Sequence, residues 1–138
     1  MERVSGAAPP PQSEADGGEP TGLRVRVEDS AGGASIVTLA GELDLSTVER
    51  MQAPLLEQVQ QRSAILLDLT ELEFIDSSGL GALIQAKRIA NGAPMATLIG
   101  VGSQVERIFE IAGVGEALSV FSDRGRALAS LGAGGPAS

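Results

Sequence analysis

Ala64-Ile65-Leu66-Leu67-Asp68-Leu69 is a nearly continuous apolar run of strand length, and a strand that is apolar on both faces has to be covered on both faces. Such a strand belongs in the middle of a sheet with helices over it, which directs the chain toward an α/β architecture. Upstream, Leu23, Val25 and Val27 alternate with Arg24, Arg26 and Glu28, the period of a strand with one wet face at a sheet edge. Asp29 to Ala34 contains Gly32-Gly33 and reads as a hairpin connection. It leads into Ile36-Val37-Thr38-Leu39-Ala40, a more buried strand rich in β-branched residues.

Helical periods alternate with these strands. Ser46 and Glu49 have capping-box spacing ahead of Val48, Met51, Leu55 and Val59, which share one helical face. Pro54 disturbs that pattern, because a proline in a helix interior deletes a backbone hydrogen bond at a cost of ~3 kcal/mol or more. Either the helix kinks there, or Ser46 opens a short turn and the main helix starts near Pro54. Leu80, Leu83, Ile84 and Lys87 mark a second helix closing at Asn91-Gly92, and Met95 to Val101 is the next buried strand. Ser103 and Glu106 form another capping box for a helix carrying Val105, Ile108, Phe109 and Ala112, stopped by Gly113. Leu118 to Phe121 is short enough for a last edge strand, and Ser122 or Asp123 then caps a final helix with Ala127, Leu128 and Leu131 facing inward. The order predicts a mixed β-sheet, an N-terminal hairpin followed by parallel βα crossover units with packed helices.

The 138 residues are one domain's worth of chain. Met1 to Gly22 holds four of the seven prolines and no apolar period, and is expected to be a disordered Pro/Gly-rich tail. Residues 23 to 131 form the domain, and 132 to 138 a flexible Gly/Ala/Pro/Ser C-terminus. Cysteine and histidine are absent, which excludes disulfides, Ser-His-Asp hydrolysis, imidazole acid-base work and the common zinc sites. A net charge of −8 has the wrong sign for binding a phosphate backbone, so nucleic acid is not an expected direct partner. Three Phe with no Trp or Tyr leave no stacking platform. No apolar run approaches the roughly 18 residues of a membrane span and no signal-peptide pattern opens the chain, so a cytoplasmic protein without membrane insertion is expected.

Chemistry concentrates in Phe74-Ile75-Asp76-Ser77-Ser78-Gly79-Leu80-Gly81, after the buried strand and immediately before a helix. A hydroxyl there lies by the positive end of the helix dipole and its unpaired amides, an environment that favours an added phosphate. Gly79 and Gly81 leave the first turn without bulk, so that another protein can approach the backbone. On local physics alone the favoured reading is the plainer one, with Asp76, Ser77 or Ser78 as an ordinary N-cap and the glycines serving helix-sheet packing. Gly-Leu-Gly has neither the Walker lysine pattern nor dinucleotide spacing. Asp44 reads either as a structural Asx turn or as a surface contact. Glu71, Glu73 and Asp76 are close enough in sequence to suggest a cation, but nothing fixes the geometry magnesium demands and a solvated loop rim is the expected reading.

The segments Gly41-Glu42-Leu43-Asp44, Leu67-Asp68-Leu69 with Phe74-Ile75-Asp76-Ser77-Ser78-Gly79-Leu80-Gly81, and Val105, Ile108, Phe109, Gly113 and Val114 resemble the STAS domains, and among them the bacterial anti-sigma-factor antagonists. The resemblance runs from about Val25 to Leu131. It implies a STAS-like fold and a phosphoprotein of partner switching, transcription regulation and stress response, a binding module and not an enzyme, with no cofactor or metal. By position in the motif the phosphoacceptor is Ser77, and Asp44, Asp76, Ser77, Ser78, Gly79, Leu80 and Gly81 form the partner-binding surface. The implied partners are an anti-sigma factor that is also a serine kinase of the histidine-kinase-like ATPase type, and a metal-dependent serine phosphatase that resets the switch. Two rivals stand beside this: a non-switching STAS scaffold or adaptor of a signalling or lipid-transport complex, and a small nucleotide hydrolase using Asp44, Asp68 and Asp76.

Overall fold

A computed structural model describes residues 22–29, 33–61, 64–90 and 94–132. Strand β1 (Leu23–Asp29) pairs antiparallel with β2 (Ser35–Leu43), from Leu23 opposite Gly41 to Asp29 opposite Ser35. Then follow α1 (Val48–Gln60), β3 (Ile65–Ile75), α2 (Ser77–Ile89), β4 (Met95–Leu98), α3 (Gln104–Ala112), β5 (Val120–Phe121) and α4 (Arg124–Ser130). The five strands lie in chain order, β1-β2-β3-β4-β5, with every pairing after the hairpin parallel. The expected tail before residue 22, the Gly32 part of the hairpin connection, the Asn91-Gly92 cap and the C-terminus beyond residue 132 lie outside the described residues.

The apolar run of β3 is the central strand, and its alternate residues divide between two cores. Ile65, Leu67 and Leu69 join Val37, Leu39 and Leu43 under Met51, Leu55 and Val59 of α1, Leu80 and Leu83 of α2, and Val105 and Phe109 of α3. Leu66 joins Ala34, Ala96 and Leu98 under Ala127 of α4 and Leu131 at its C-terminal cap. Three helices therefore cover one face and one covers the other, the double coverage that the apolar run requires. Asp68, the polar member of the run, is 2% exposed on the α4 side. It accepts hydrogen bonds from Arg124 Nη2 at 2.6 Å, Thr70 Oγ1 at 2.7 Å and the Thr70 amide at 2.9 Å. A buried carboxylate is tolerable only with such partners.

Several local expectations change. Strand β3 does not stop at Leu69. Its register against β2 slips by one residue between Asp68 and Glu71 and again between Leu72 and Phe74. These two extra residues turn an every-second pattern into an every-third one, so Leu69, Leu72 and Ile75 all face the core. Glu71 and Glu73 are consequently strand residues and not a loop rim. The fourth strand ends at Leu98 instead of reaching Val101, which is 77% exposed in the loop beyond it. Helix α1 runs unbroken from Val48 through Pro54, so it does not start near Pro54. The first capping box is not formed: Thr47, not Ser46, precedes the helix, and no side chain caps it. The second is half formed, since Ser103 Oγ accepts the Glu106 amide at 3.0 Å while Glu106 reaches back to the amide of Gly102, one residue before the cap. Ala112 of α3 is exposed. Asp123, not Ser122, caps α4 through the Arg126 amide at 2.8 Å.

Candidate functional site

Because β2, β3 and β4 are parallel, the loops that leave their C-terminal ends emerge along one edge of the sheet. The middle loop is a single residue. Asp76 has extended backbone (φ −114°, ψ −174°), and its Oδ1 accepts the Gly79 amide at 3.0 Å, so Asp76 is the N-cap among the three candidates. Its carbonyl accepts the Leu80 amide at 2.9 Å, and its own amide donates to Leu43 O at the end of β2, 3.2 Å away. Immediately before it, the Ile75 amide donates to Gln104 Oε1 at 3.0 Å, while Gln104 Nε2 donates back to Ile75 O at 3.3 Å. The junction is thus tied from both sides.

Ser77 is the first residue of α2 and is exposed. Among the described residues no hydrogen bond engages its hydroxyl. Ser78 is half-buried. The two glycines of the motif serve different ends. Gly81 faces open space, whereas a Cβ on Gly79 would lie 2.6 Å from Leu43 O and 3.0 Å from Ile75 Cγ1. Gly79 is buried and lets α2 seat against the sheet, the helix-sheet packing that its local reading allowed. Leu80 is likewise buried, within the core under α2. The surface that α2 presents at this edge is therefore Asp76, Ser77, Ser78 and Gly81.

Asp44 lies in the neighbouring loop after β2. Its Oδ1 accepts the Ser46 amide at 3.0 Å and the Ser46 hydroxyl at 2.7 Å, an Asx turn. The Ser46 hydroxyl is the chief reason that its carboxyl is held below the ordinary 3.8. Its carbonyl accepts the amides of Thr47 and Val48, and its amide donates to Thr47 Oγ1 at 3.0 Å. Buried Thr47 in turn donates to Glu42 O at 2.8 Å. The Asx turn presents Leu45 to solvent, 74% exposed, and the loop after β4 presents Val101 in the same way. Sequence reading missed both apolar residues and Gln104. Leu45 carried a signal, an apolar residue between Asp44 and Ser46 off the helical face; Gln104 carried none.

Asp44, Asp68 and Asp76 are not brought together. Asp68 is paired with Arg124 and lies opposite Thr38, five residues before Leu43, the partner of Ile75, so at a rise of about 3.3 Å per residue it is roughly 17 Å from the end of β3 that precedes Asp76. The nucleotide-hydrolase arrangement is absent.

The STAS domain model matches residues 25–127. An anti-sigma F factor antagonist of Paenibacillus polymyxa is 33% identical over 113 residues, which cover 79% of this chain and 95% of that protein. Among solved structures, an anti-sigma factor antagonist from Mycobacterium paratuberculosis superposes with a TM-score of 0.74 at 22% identity, covering 82% of this chain and 97% of that one. The Bacillus cell fate determinant SpoIIAA in its phosphorylated form gives 0.55 at 23% identity, over 75% and 96% of the two chains. The chain belongs to the STAS domain family and, within it, to the family of the anti-sigma factor antagonists. Among the described residues no helix is long and apolar enough to cross a membrane.

Proposed function

We propose that the unphosphorylated protein binds an anti-sigma factor of the histidine-kinase-like ATPase type and so releases the sigma factor held by it, and that phosphorylation of Ser77 by that partner switches binding off. The observation that carries this reading is the exposed, unbonded Ser77 hydroxyl at the first position of a 13-residue helix, standing on a junction held by the bonded Ile75 and Asp76 amides. In the transfer, Ser77 Oγ forms a bond to the γ-phosphorus of ATP as the bond from that phosphorus to the β–γ bridging oxygen breaks; ADP leaves with the electron pair and the hydroxyl proton passes to a base of the kinase. The new group carries about −1.5 to −2 charges on a surface that already contains Asp76. A face that docks against the kinase becomes bulky and repulsive, and a metal-dependent serine phosphatase restores it. The protein acts as substrate and ligand and not as catalyst. The relative named for an anti-sigma F factor supports the choice of partner.

Incubating the protein with the kinase-type anti-sigma factors of the same genome and Mg-ATP, then measuring intact mass and mapping the modified peptide, tests the reading. Modification at Ser77, abolished in Ser77→Ala and retained in Ser78→Ala, is the expected result. The reverse pattern would move the site to Ser78, and no modification by any of these kinases would leave a non-switching scaffold.

A further inference from the structure

Strand β3 is much longer than its neighbour β4. Their pairing runs from Ile65 opposite Met95 only as far as Asp68 opposite Leu98, so among the described residues the β4 side of β3 from Leu69 to Ile75 has no strand beside it. At the end of that bare stretch, the carboxamide of Gln104 supplies what a neighbouring strand would supply. Its oxygen accepts the Ile75 amide at 3.0 Å and its nitrogen donates to the Ile75 carbonyl at 3.3 Å. A peptide group and a carboxamide have the same donor and acceptor, and no charged or apolar side chain offers both. Gln104 is the first residue of α3 and is itself fixed by the neighbouring Ser103 cap. On the opposite side, Leu43 O accepts the Asp76 amide. Ser77 stands two residues beyond the bond to Gln104.

We infer that Gln104 is a positioning residue for the Ser77 phosphoacceptor, acting as a stand-in for a strand that holds the β3–α2 junction and couples α3 to the switch. The inference rests on the phospho-switch reading for its consequence and on the Gln104–Ile75 geometry for its cause. Phosphoryl transfer gains most of its rate from alignment of the attacking oxygen, which a shift of about 1 Å can degrade a hundredfold. A junction freed on its β4 side should therefore still dock but should transfer more slowly.

The test uses the full chain with Gln104→Leu, which neither donates nor accepts, and Gln104→Glu, which accepts but cannot donate. Leu131→Ala, in the core on the other face of the sheet, serves as a control for lost stability. Without any partner, amide exchange in the peptide containing Ile75 should accelerate by about ten-fold or more in Gln104→Leu, under conditions where exchange is local and the control stays slow, while Gln104→Glu, which still offers the Ile75 amide an acceptor, should accelerate it less. With the kinase that modifies the wild type and Mg-ATP, kcat should fall by about ten-fold or more while KM stays within about three-fold. Unchanged exchange at Ile75 in Gln104→Leu, or a kcat loss matched by Leu131→Ala, would overturn the inference. A wild type that accepts no phosphate would overturn the switch reading instead, and the exchange comparison, which needs no partner, keeps the two failures apart.

Discussion

Gly79 lies directly against Leu43: a methyl group on its Cα would come within 2.6 Å of the Leu43 carbonyl oxygen and 2.8 Å of its Cγ. The carbonyl is backbone and cannot yield as a flexible side chain can. Gly81, two positions on in the same helix, meets nothing within 4 Å. Two glycines of one motif should therefore respond to alanine with opposite signs. Gly79→Ala should cost ~1–3 kcal/mol by overpacking. Gly81→Ala should gain up to ~1 kcal/mol from helix propensity. Urea unfolding of the two variants checks this, and destabilisation by Gly81→Ala alone would contradict it.

Lys87 is the sole lysine, and the chain has no Tyr, Cys or His, so this side chain has the alkaline range almost to itself. Its ammonium donates to Met95 O at 2.7 Å and to Ser119 Oγ at 3.3 Å, while burial holds its pKa below the ordinary 10.5. The folded protein thus sheds this proton at lower pH than the unfolded chain does. In the window just below 10.5 the unfolded state binds more protons, and stability should rise with pH. The slope is shallow because the side chain is only half-buried. Unfolding curves collected through that window should show the rise in the wild type and its loss in Lys87→Met; a wild-type stability that falls there would contradict the sign.

The architecture was legible because its signals are local. The run Ala64 to Leu69, the alternation of Leu23, Val25 and Val27, and the Ser103 and Gly113 helix ends each act within a few residues. What escaped was set by distant partners. Leu72 and Ile75 lost the strand period because two slips against β2 change which residues face inward. Val101 is as apolar as a strand residue, but the pairing of β4 with β3 ends at Leu98 and leaves it in solvent. Asp76 was readable as a cap candidate from its place before the helix. Gln104, 29 residues from Ile75, has no pattern of its own, because a glutamine at the start of a helix is ordinary until a bare strand end is placed beside it.

Leu45 and Val101 are 74% and 77% exposed in the loops on either side of the Ser77 junction. If the partner docks at this edge, both apolar side chains fall inside the interface, where their burial adds to binding. Leu45→Glu and Val101→Glu should each lower affinity for the kinase-type anti-sigma factor by about ten-fold or more, in the range of interface hot spots, with unchanged melting temperature. Glu57→Lys, exposed in α1, should not. Undiminished binding by both loop variants would move the interface away from this edge.

The energetics of the proposed switch are open to direct titration. With an exposed, unbonded hydroxyl, Ser77→Ala removes nothing that the fold uses, so it should bind the partner as the wild type does and resist inactivation by ATP. Ser77→Asp places one negative charge beside Asp76, whose carboxylate is held to the Gly79 amide and cannot turn far away. Coupling energies of ~1–3 kcal/mol correspond to a 5- to 150-fold loss of affinity. Aspartate has one charge and no tetrahedral bulk, whereas phosphate carries about −1.5 to −2, so the substitution should fall at the weaker end and the phosphorylated protein at the stronger. Calorimetric titration of the wild type, both variants and the phosphorylated form against the kinase partner, with circular dichroism confirming equal folding, measures each step. The loss should also shrink with added salt, since the charge is at the surface and its repulsion is screened over about 10 Å at 0.1 M ionic strength. Equal affinity for all four would mean that Ser77 lies outside the docking face, and the scaffold reading would then account for the fold.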